Sequence, residues 1–324
     1  MSVLVAIPYH VSDDKYYLDM TMLSIREKLG RDVDILIVTD QDAPTLTVPT
    51  NAYQARVLGH GVGKARNLAA YFAYRNKYDC LIFMDSHMLI LSDNFLKICQ
   101  SKIGQPKTVV AENYSGPLKD IVKFFVRPKV NRSSYTLGSF LDKDTWRWAY
   151  IYSTVSRKTV MTTEPSYSVS YSVIEALIQA QGKYTLAEYW GKESFDATVS
   201  AARLGFDIDI YPDVEVAHVY KVGSPSWSSR FTKTDCRNEP FCGVLQGSVY
   251  NNGIRWGDCV YALKHYTDID RLPVDHYVCE LVKVYDHDAM ARIASFNQYA
   301  KYSLNDVYKR LAEYLKDATW GFVR

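Results

Sequence analysis

The sequence predicts an α/β fold in which helices flank a mostly parallel central sheet, and three observations carry that expectation. Strand-like and helix-like segments alternate through the first third of the chain. The strand-like segments are apolar without interruption, as strands buried on both faces are. One of them, Leu81-Ile82-Phe83-Met84, stops abruptly at Asp85-Ser86-His87. Sheets of this class bind ligands at the carboxyl ends of their strands, where such a polar cluster would lie.

Val3 to Pro8 reads as the first strand, and Leu18, Met22, Ile25 and Leu29 give Tyr16 to Leu29 helical spacing. Asp34 to Thr39 is a second strand, ending at Asp40. A glycine-rich turn, Gly59 to Gly63, opens an amphipathic helix from Lys64 to about Lys77, and the strand ending at Asp85 follows. That rhythm implies parallel strands joined by right-handed crossovers. After the strand Lys107 to Ala111 the pattern changes, and residues 115–170 mix strand-like pieces with aromatic and basic side chains. Helices are expected at Ser172–Gln181 and Glu193–Leu204, the second closed by Gly205. Short strands, Asp207–Tyr211 and Val214–Val219, flank Pro212. The Gly-, Ser-, Pro- and Asn-rich stretch 221–250 is the candidate for a mobile loop. Further helices are expected near 254–266, 284–297 and 304–316.

With 324 residues the chain holds one large domain or two modest ones, and 48% hydrophobic with 23% charged residues is ordinary for a globular protein. A net charge of +2 argues against a nucleic-acid-binding surface spread over the molecule, so no nucleic-acid partner is expected. No apolar segment reaches bilayer-spanning length and no signal-peptide pattern opens the chain, so a soluble, cytoplasmic protein is expected. The stretch Lys119 to Arg132, basic and carrying Phe124 and Phe125, is a candidate for peripheral contact with an anionic membrane or a lipid-linked acceptor. A basic face of a solvated element is the competing explanation. Six scattered cysteines without a CxxC pair read as free thiols rather than a zinc ribbon.

Several residues could carry chemistry. In extended chain, residues two apart point to one side, so Asp85 and His87 can converge on one ion. An oxygen with an imidazole nitrogen suits Mn²⁺ or another borderline divalent cation better than Ca²⁺; an ordinary polar turn is the alternative. Asp40 can accept a hydrogen bond from a nucleobase or ribose, or simply belong to the turn Asp40-Gln41-Asp42-Ala43-Pro44. The run Gly59-His60-Gly61-Val62-Gly63-Lys64-Ala65 is no Walker loop, because Ala65 follows Lys64, and it lacks the dinucleotide spacing. It does put Arg66 and Asn67 early in a helix, within reach of a diphosphate; a plain exposed Arg is the rival. Trp190-Gly191-Lys192-Glu193 precedes a helix, where Trp190 can wall a sugar and Glu193 can meet its hydroxyls or merely favour the helix N-terminus. His218, after Val214 and Val216, is a ligand or a packed histidine.

Taken in order, these pieces resemble the GT-A glycosyltransferases, most closely the catalytic domain of polypeptide N-acetylgalactosaminyltransferases. Asp85-Ser86-His87 is identical to that family's metal-binding triplet. Trp190-Gly191-Lys192-Glu193 resembles its Trp-Gly-Gly-Glu element, with Lys192 in place of the second glycine. Ala217-His218-Val219-Tyr220-Lys221 resembles its Gly-His-Val-Phe-Arg element, and Ile254-Arg255-Trp256-Gly257-Asp258 is weakly similar to the helix after its flexible loop. The resemblance covers about residues 2–266; the region 115–170 shows no match.

What the resemblance implies is a GT-A (nucleotide-diphospho-sugar transferase) fold with a Rossmann-like sheet. Residues 1–112 would form the nucleotide-sugar-binding half. Residues 113–266 would form the acceptor half, with His218 and the 221–250 loop, and 267–324 a C-terminal helical extension. Asp85, His87 and His218 would hold Mn²⁺ or another divalent cation. Asp40, Arg66, Asn67, Asp85 and Trp190 would bind a donor, UDP-linked as the resembled family's is, and Glu193 would act at the donor sugar or the acceptor hydroxyl. The acceptor, whether carbohydrate, protein or lipid-linked, is not implied. Two other classes compete: a GT-A-like protein that binds nucleotide sugar or carbohydrate without turnover, and a metal-dependent phosphoesterase. The second needs Gly-Asp and Gly-Asn-His elements, of which only Gly257-Asp258 is present, and late.

Overall fold

Segments that are apolar on both faces are satisfied only inside a covered sheet, and that is where they lie in the computed structural model of the protein. It describes residues 1–10, 15–40, 43–58, 61–111, 130–136, 138–143, 148–151, 158–162, 165–188, 193–219, 256–274, 276–318 and 320–322. The strands β1 (Val3–Tyr9), β2 (Asp34–Thr39), β3 (Ala52–Arg56) and β4 (Cys80–Met84) form the parallel half of the main sheet. β1 lies between β2 and β4, and β3 follows β2. The other half carries β5 (Met88–Ile90), β6 (Ile103–Ala111), β7 (Val130–Thr136), β10 (Lys158–Thr159), β11 (Ser166–Ser170) and β12 (Ile208–Val219). The sheet runs β10-β12-β6-β11-β4-β1-β2-β3, with β5 paired to β12 and β7 to β6. β11 is antiparallel to both its neighbours, whereas β12 is parallel to β6.

Alternate residues of the same strands feed two cores. Leu4, Ala6, Leu36, Leu81 and Phe83 face the small residues Ala65, Ala69, Ala70 and Ala73 of α2 (Val62–Arg75), and Val173, Ile174 and Leu177 of α3 (Tyr171–Gln181). Val5, Ile7, Ile35, Ile37, Ile82 and Met84 face Leu18, Met22 and Ile25 of α1 (Lys15–Leu29). The period of two in a strand thus serves two helical layers.

Three features differ from the sequence expectations. β3 carries no apolar signal, because it is the sheet edge and its residues are half-exposed or exposed. The two strands expected around Pro212 are one strand, β12; a register shift between Tyr211 and Glu215 absorbs the proline, which cannot donate to the ladder. Among the described residues the C-terminal region holds four α-helices rather than three: α5 (Trp256–His265), α6 (His276–Tyr285), α7 (His287–Tyr299) and α8 (Leu304–Leu315). Between α3 and β12 lies α4 (Glu193–Arg203). A small second sheet pairs β8 (Gly138–Leu141), β9 (Trp148–Ile151) and the C-terminal β13 (Trp320–Phe322). The expected loop 221–250 lies outside the described residues, as do residues 119–129. No helix among the described residues is long and apolar enough to cross a membrane.

The last helix is held by its own local code. Ser303 and Asp306 cap α8 reciprocally, and Val307, Leu311 and Leu315 pack on Phe140, Ile151 and Phe195. Leu311→Ala should lower the unfolding free energy by about 2–5 kcal/mol, and Ser303→Ala by about 1 kcal/mol, both read by urea denaturation.

Candidate active site

The apolar run of β4 can continue only while both faces are covered, and it ends where the chain turns out of the sheet. The Asp85 amide donates to Pro165 O at 3.1 Å, fixing that turn. β5 then runs back along β12 with Met88 opposite His218, and the Val219 amide donates to His87 O at 3.0 Å. From the other side, Thr21 Oγ1 accepts the Met88 amide at 3.0 Å and Ser24 Oγ the Ile90 amide at 2.7 Å. A hydroxyl pair on α1 therefore satisfies the edge of a strand only three residues long.

This framework brings together side chains distant in sequence. His87 Nε2 and His218 Nε2 lie 2.8 Å apart although 131 residues separate them. His218 Nε2 is 4.0 Å from Asp85 Oδ2, and one ligand atom from each of the three residues lies within 4.8 Å of the others. Metal–ligand bonds of about 2.0–2.2 Å put neighbouring ligand atoms about 3 Å apart. The two imidazoles meet that spacing, and the Asp85 oxygen stands somewhat farther off, 4.0 Å from His218 Nε2. One carboxylate oxygen with two imidazole nitrogens is a donor set for Mn²⁺ or a similar borderline cation, and fits an all-oxygen calcium cage poorly.

Beside this cluster Arg66 is buried, 4% exposed, against the Phe83 and Tyr167 rings with its guanidinium carbon 5.5 and 5.7 Å from their centroids. Its Nη1 donates to Tyr167 OH at 3.2 Å and to Ser194 Oγ. Its Nη2 is 3.9 Å from Asp85 Oδ1 and 3.9 Å from Glu193 Oε1. Burial opposes the charge, but Tyr167, Glu193 and Asp85 outweigh it and raise the Arg66 pKa above that of a free guanidinium. The plain exposed Arg is thereby excluded: Arg66 is a buried cation linking the end of β4 to the first residue of α4.

Asn67, its neighbour, clamps backbone. Nδ2 donates to Thr185 O and Oδ1 accepts from the Thr185 amide, both at 2.9 Å. The Lys64 amide donates to Glu188 O at 2.9 Å, and a Cβ on Gly63 would stand 2.0 Å from Ala187 O. The glycine-rich run thus lets the strap 182–188 lie against the start of α2. Asp40, 7% exposed at the end of β2, meets His10 at the end of β1, with His10 Nε2 3.2 Å from Asp40 Oδ2. His10 carries no sequence signal beyond following an apolar strand. Trp190, Gly191 and Lys192 lie outside the described residues.

A second cluster lies behind Glu193. Asp196 is fully buried on the first turn of α4, and its Oδ2 accepts from Thr185 Oγ1 at 2.8 Å and the Leu186 amide at 2.7 Å. Its Oδ1 faces Lys264 Nζ at 2.8 Å and His265 Nε2 at 3.1 Å, both from α5. Lys264 also donates to Gln181 Oε1 at 2.5 Å and Ser200 Oγ at 2.7 Å. Burial alone would raise the Asp196 pKa, but Lys264 and His265 hold it below the usual carboxylate range. Burial lowers Lys264 to about 8 and His265 to about 3, in each case against the attraction of Asp196. These residues have no motif spacing to find them by, and sequence reasoning missed all three.

No protein-family model matches the chain, and no curated protein matches it in sequence. Solved structures do match in fold. A crystal structure of GalNAc-T7 with UDP, GalNAc and Mn²⁺ superposes with a TM-score of 0.58 at 14% identity, over 98% of this chain. The chain spans 58% of the length of that GalNAc-T7 chain. More distant are S. aureus TarS 1–349 in complex with UDP-GlcNAc, at TM-score 0.44 and 13% identity over 96% of this chain and 92% of that one, and A197 from STIV, at 0.40 and 12% over 68% and 87%. The fold is therefore that of the GT-A glycosyltransferases, α/β with a large mostly parallel sheet.

Two outcomes follow from this packing. Gly63→Ala should push the strap off α2 and cost about 1–3 kcal/mol by urea denaturation. His265 gains a proton below about pH 6.5 when unfolded but only near 3 when folded, so stability is complete above 6.5 and is lost as the pH falls. Unfolding free energy should drop by about 2 kcal/mol from this residue between roughly pH 7.5 and 5, and His265→Gln should flatten that part of the slope.

Proposed function

We propose that the protein is a metal-dependent glycosyltransferase that moves a sugar from a UDP-linked donor to an acceptor hydroxyl. The observation that carries this reading is the convergence of Asp85, His87 and His218 at the carboxyl rim of a GT-A sheet, beside the Arg66–Glu193 pair. The UDP and Mn²⁺ bound in the GalNAc-T7 structure support the choice of nucleotide and metal. The order of motifs along the chain supports it independently of the fold.

In this reading Asp85, His87 and His218 hold the divalent cation. When bound, that ion stabilises the charge that develops on the leaving diphosphate. The chain's own groups do the rest. Arg66 draws Asp85 Oδ1 toward itself, leaving Oδ2 for the side facing His218. Its fixed charge also raises the positive potential behind the leaving group without reorganisation cost. Glu193, held by Arg66, orients a hydroxyl at the reacting centre. Asp40, oriented by His10, reads the ribose or base. Asn67 serves the donor sugar, rather than the nucleotide, through the strap it clamps beside Glu193, and Trp190 walls the sugar. Residues 1–112 are assigned to the donor half, 113–266 to the acceptor half and 267–324 to a C-terminal extension. The acceptor is a carbohydrate, protein or lipid-linked hydroxyl.

The test is a panel of nucleotide sugars with Mn²⁺, scored for nucleotide release and, by calorimetry, for binding. Release should need Mn²⁺. Asp85→Ala and His218→Ala should each reduce it at least about 100-fold, the scale of removing one charge-stabilising element, and abolish metal-dependent donor binding. Undiminished Mn²⁺-dependent binding in both variants would refute the assignment.

A further inference from the structure

We propose that Asp196 and Lys264 are positioning residues for Glu193, holding the first turn of α4 and the 182–188 strap in register with Arg66 and Asp85. The proposal rests on the glycosyltransferase reading and goes beyond it, because neither residue reaches the rim. Asp196 lies three positions after Glu193, on the same side of one helical turn. Between them Ser194 accepts from Arg66. On its far side Asp196 holds the Thr185 hydroxyl and the Leu186 amide, and Asn67 holds the Thr185 backbone. The strap is thus pinned to α2 and α4 just before the segment that leads into Glu193. Lys264, with Asp196, Gln181 and Ser200 as acceptors and the Phe296 ring 4.5 Å from Nζ, ties that arrangement to α3, α5 and α7.

A buried ion pair is a poor device for stability alone, since apolar residues of similar volume do as well or better. What apolar residues cannot do is accept hydrogen bonds from the strap. The metal-ligand set hangs on β4, β5 and β12, which the network does not touch. Loss of the network should therefore separate turnover from metal and nucleotide binding.

The experiment uses the full chain with the donor that it turns over fastest, measuring kcat for nucleotide release alongside UDP and Mn²⁺ binding by calorimetry. Asp196→Leu/Lys264→Met should lose kcat at least about tenfold while UDP–Mn²⁺ affinity stays within about twofold, the pattern of an interaction used in turnover rather than ground-state binding. Asp196→Asn/Lys264→Gln, neutral but still able to accept from the strap, should restore kcat to within about threefold of the parent. Should the Leu/Met pair not fold, Thr185→Val takes its place: it removes the hydroxyl that donates to Asp196 and accepts from the Ala187 amide, without touching the charges, and should lower kcat about threefold or more. A folded Leu/Met pair, or failing that Thr185→Val, with parental kcat would overturn the positioning role. So would a kcat loss matched by equal loss of UDP–Mn²⁺ binding. Absence of nucleotide release from the unsubstituted chain overturns the transferase reading itself, and the positioning role with it.

Discussion

A guanidinium removed from water must be met by acids and acceptors, and the candidate site is organised around that requirement at Arg66. Stranded in the layer between α2 and the sheet, it reaches Asp85, Glu193, Ser194 and Tyr167. They come from three pieces of the fold: the end of β4, the start of α4 and the beginning of β11. Removing any one acid would leave the cation less compensated, at a cost of several kcal/mol for a buried charge. The positions of the two carboxylates are therefore coupled through a single planar side chain. Lys could not replace it, having one charged atom where Arg presents a fork.

The cluster of Asp85, His87 and His218 answers to a different constraint. Asp85 and His87 come from one turn, but His218 arrives on β12 through strand pairing. The pairing of Met88 with His218 and the bond from the Val219 amide to His87 O set the meeting of the imidazoles by backbone register. Register is all-or-none, since a one-residue slip turns every side chain to the other face. The hydroxyls of Thr21 and Ser24 matter here, because a three-residue strand with an unsatisfied edge would not hold register alone.

Much of this was legible in the sequence where the physics is local. The apolar runs of β1, β2 and β4, the 3.6-residue spacing of α1 and the abrupt arrival of Asp85 are all consequences of burial on one short segment. His218 was singled out only as one member of an ordered set of motifs, and strand pairing is what brings it beside Asp85 and His87. The misses share a cause. β3 is an edge strand with little to bury, β12 hides its continuity behind Pro212, and α6 is short, with Tyr277, Val284 and Tyr285 exposed among the residues that give it away. His10 meets Asp40, and Asp196 meets Lys264 and His265, across 30 to 69 residues, and no short window on the sequence contains such a pair.

The glycine-rich run shows how a motif can be informative for the wrong reason. Read as a phosphate loop, it fails on Ala65; read as backbone sterics, it explains itself. Gly61 adopts a φ of 139°, a region that side chains avoid, and Gly63 leaves no room for one beside Ala187 O. Close approach at Gly63 is what lets the strap lie on α2 near enough for Asn67 to grip Thr185 and for Arg66 to reach Ser194. The absence of one methyl group at Gly63 thus bears on where a carboxylate on α4 sits. A glycine with that consequence belongs to the site as much as a residue that touches a ligand, although its contribution is only to be small.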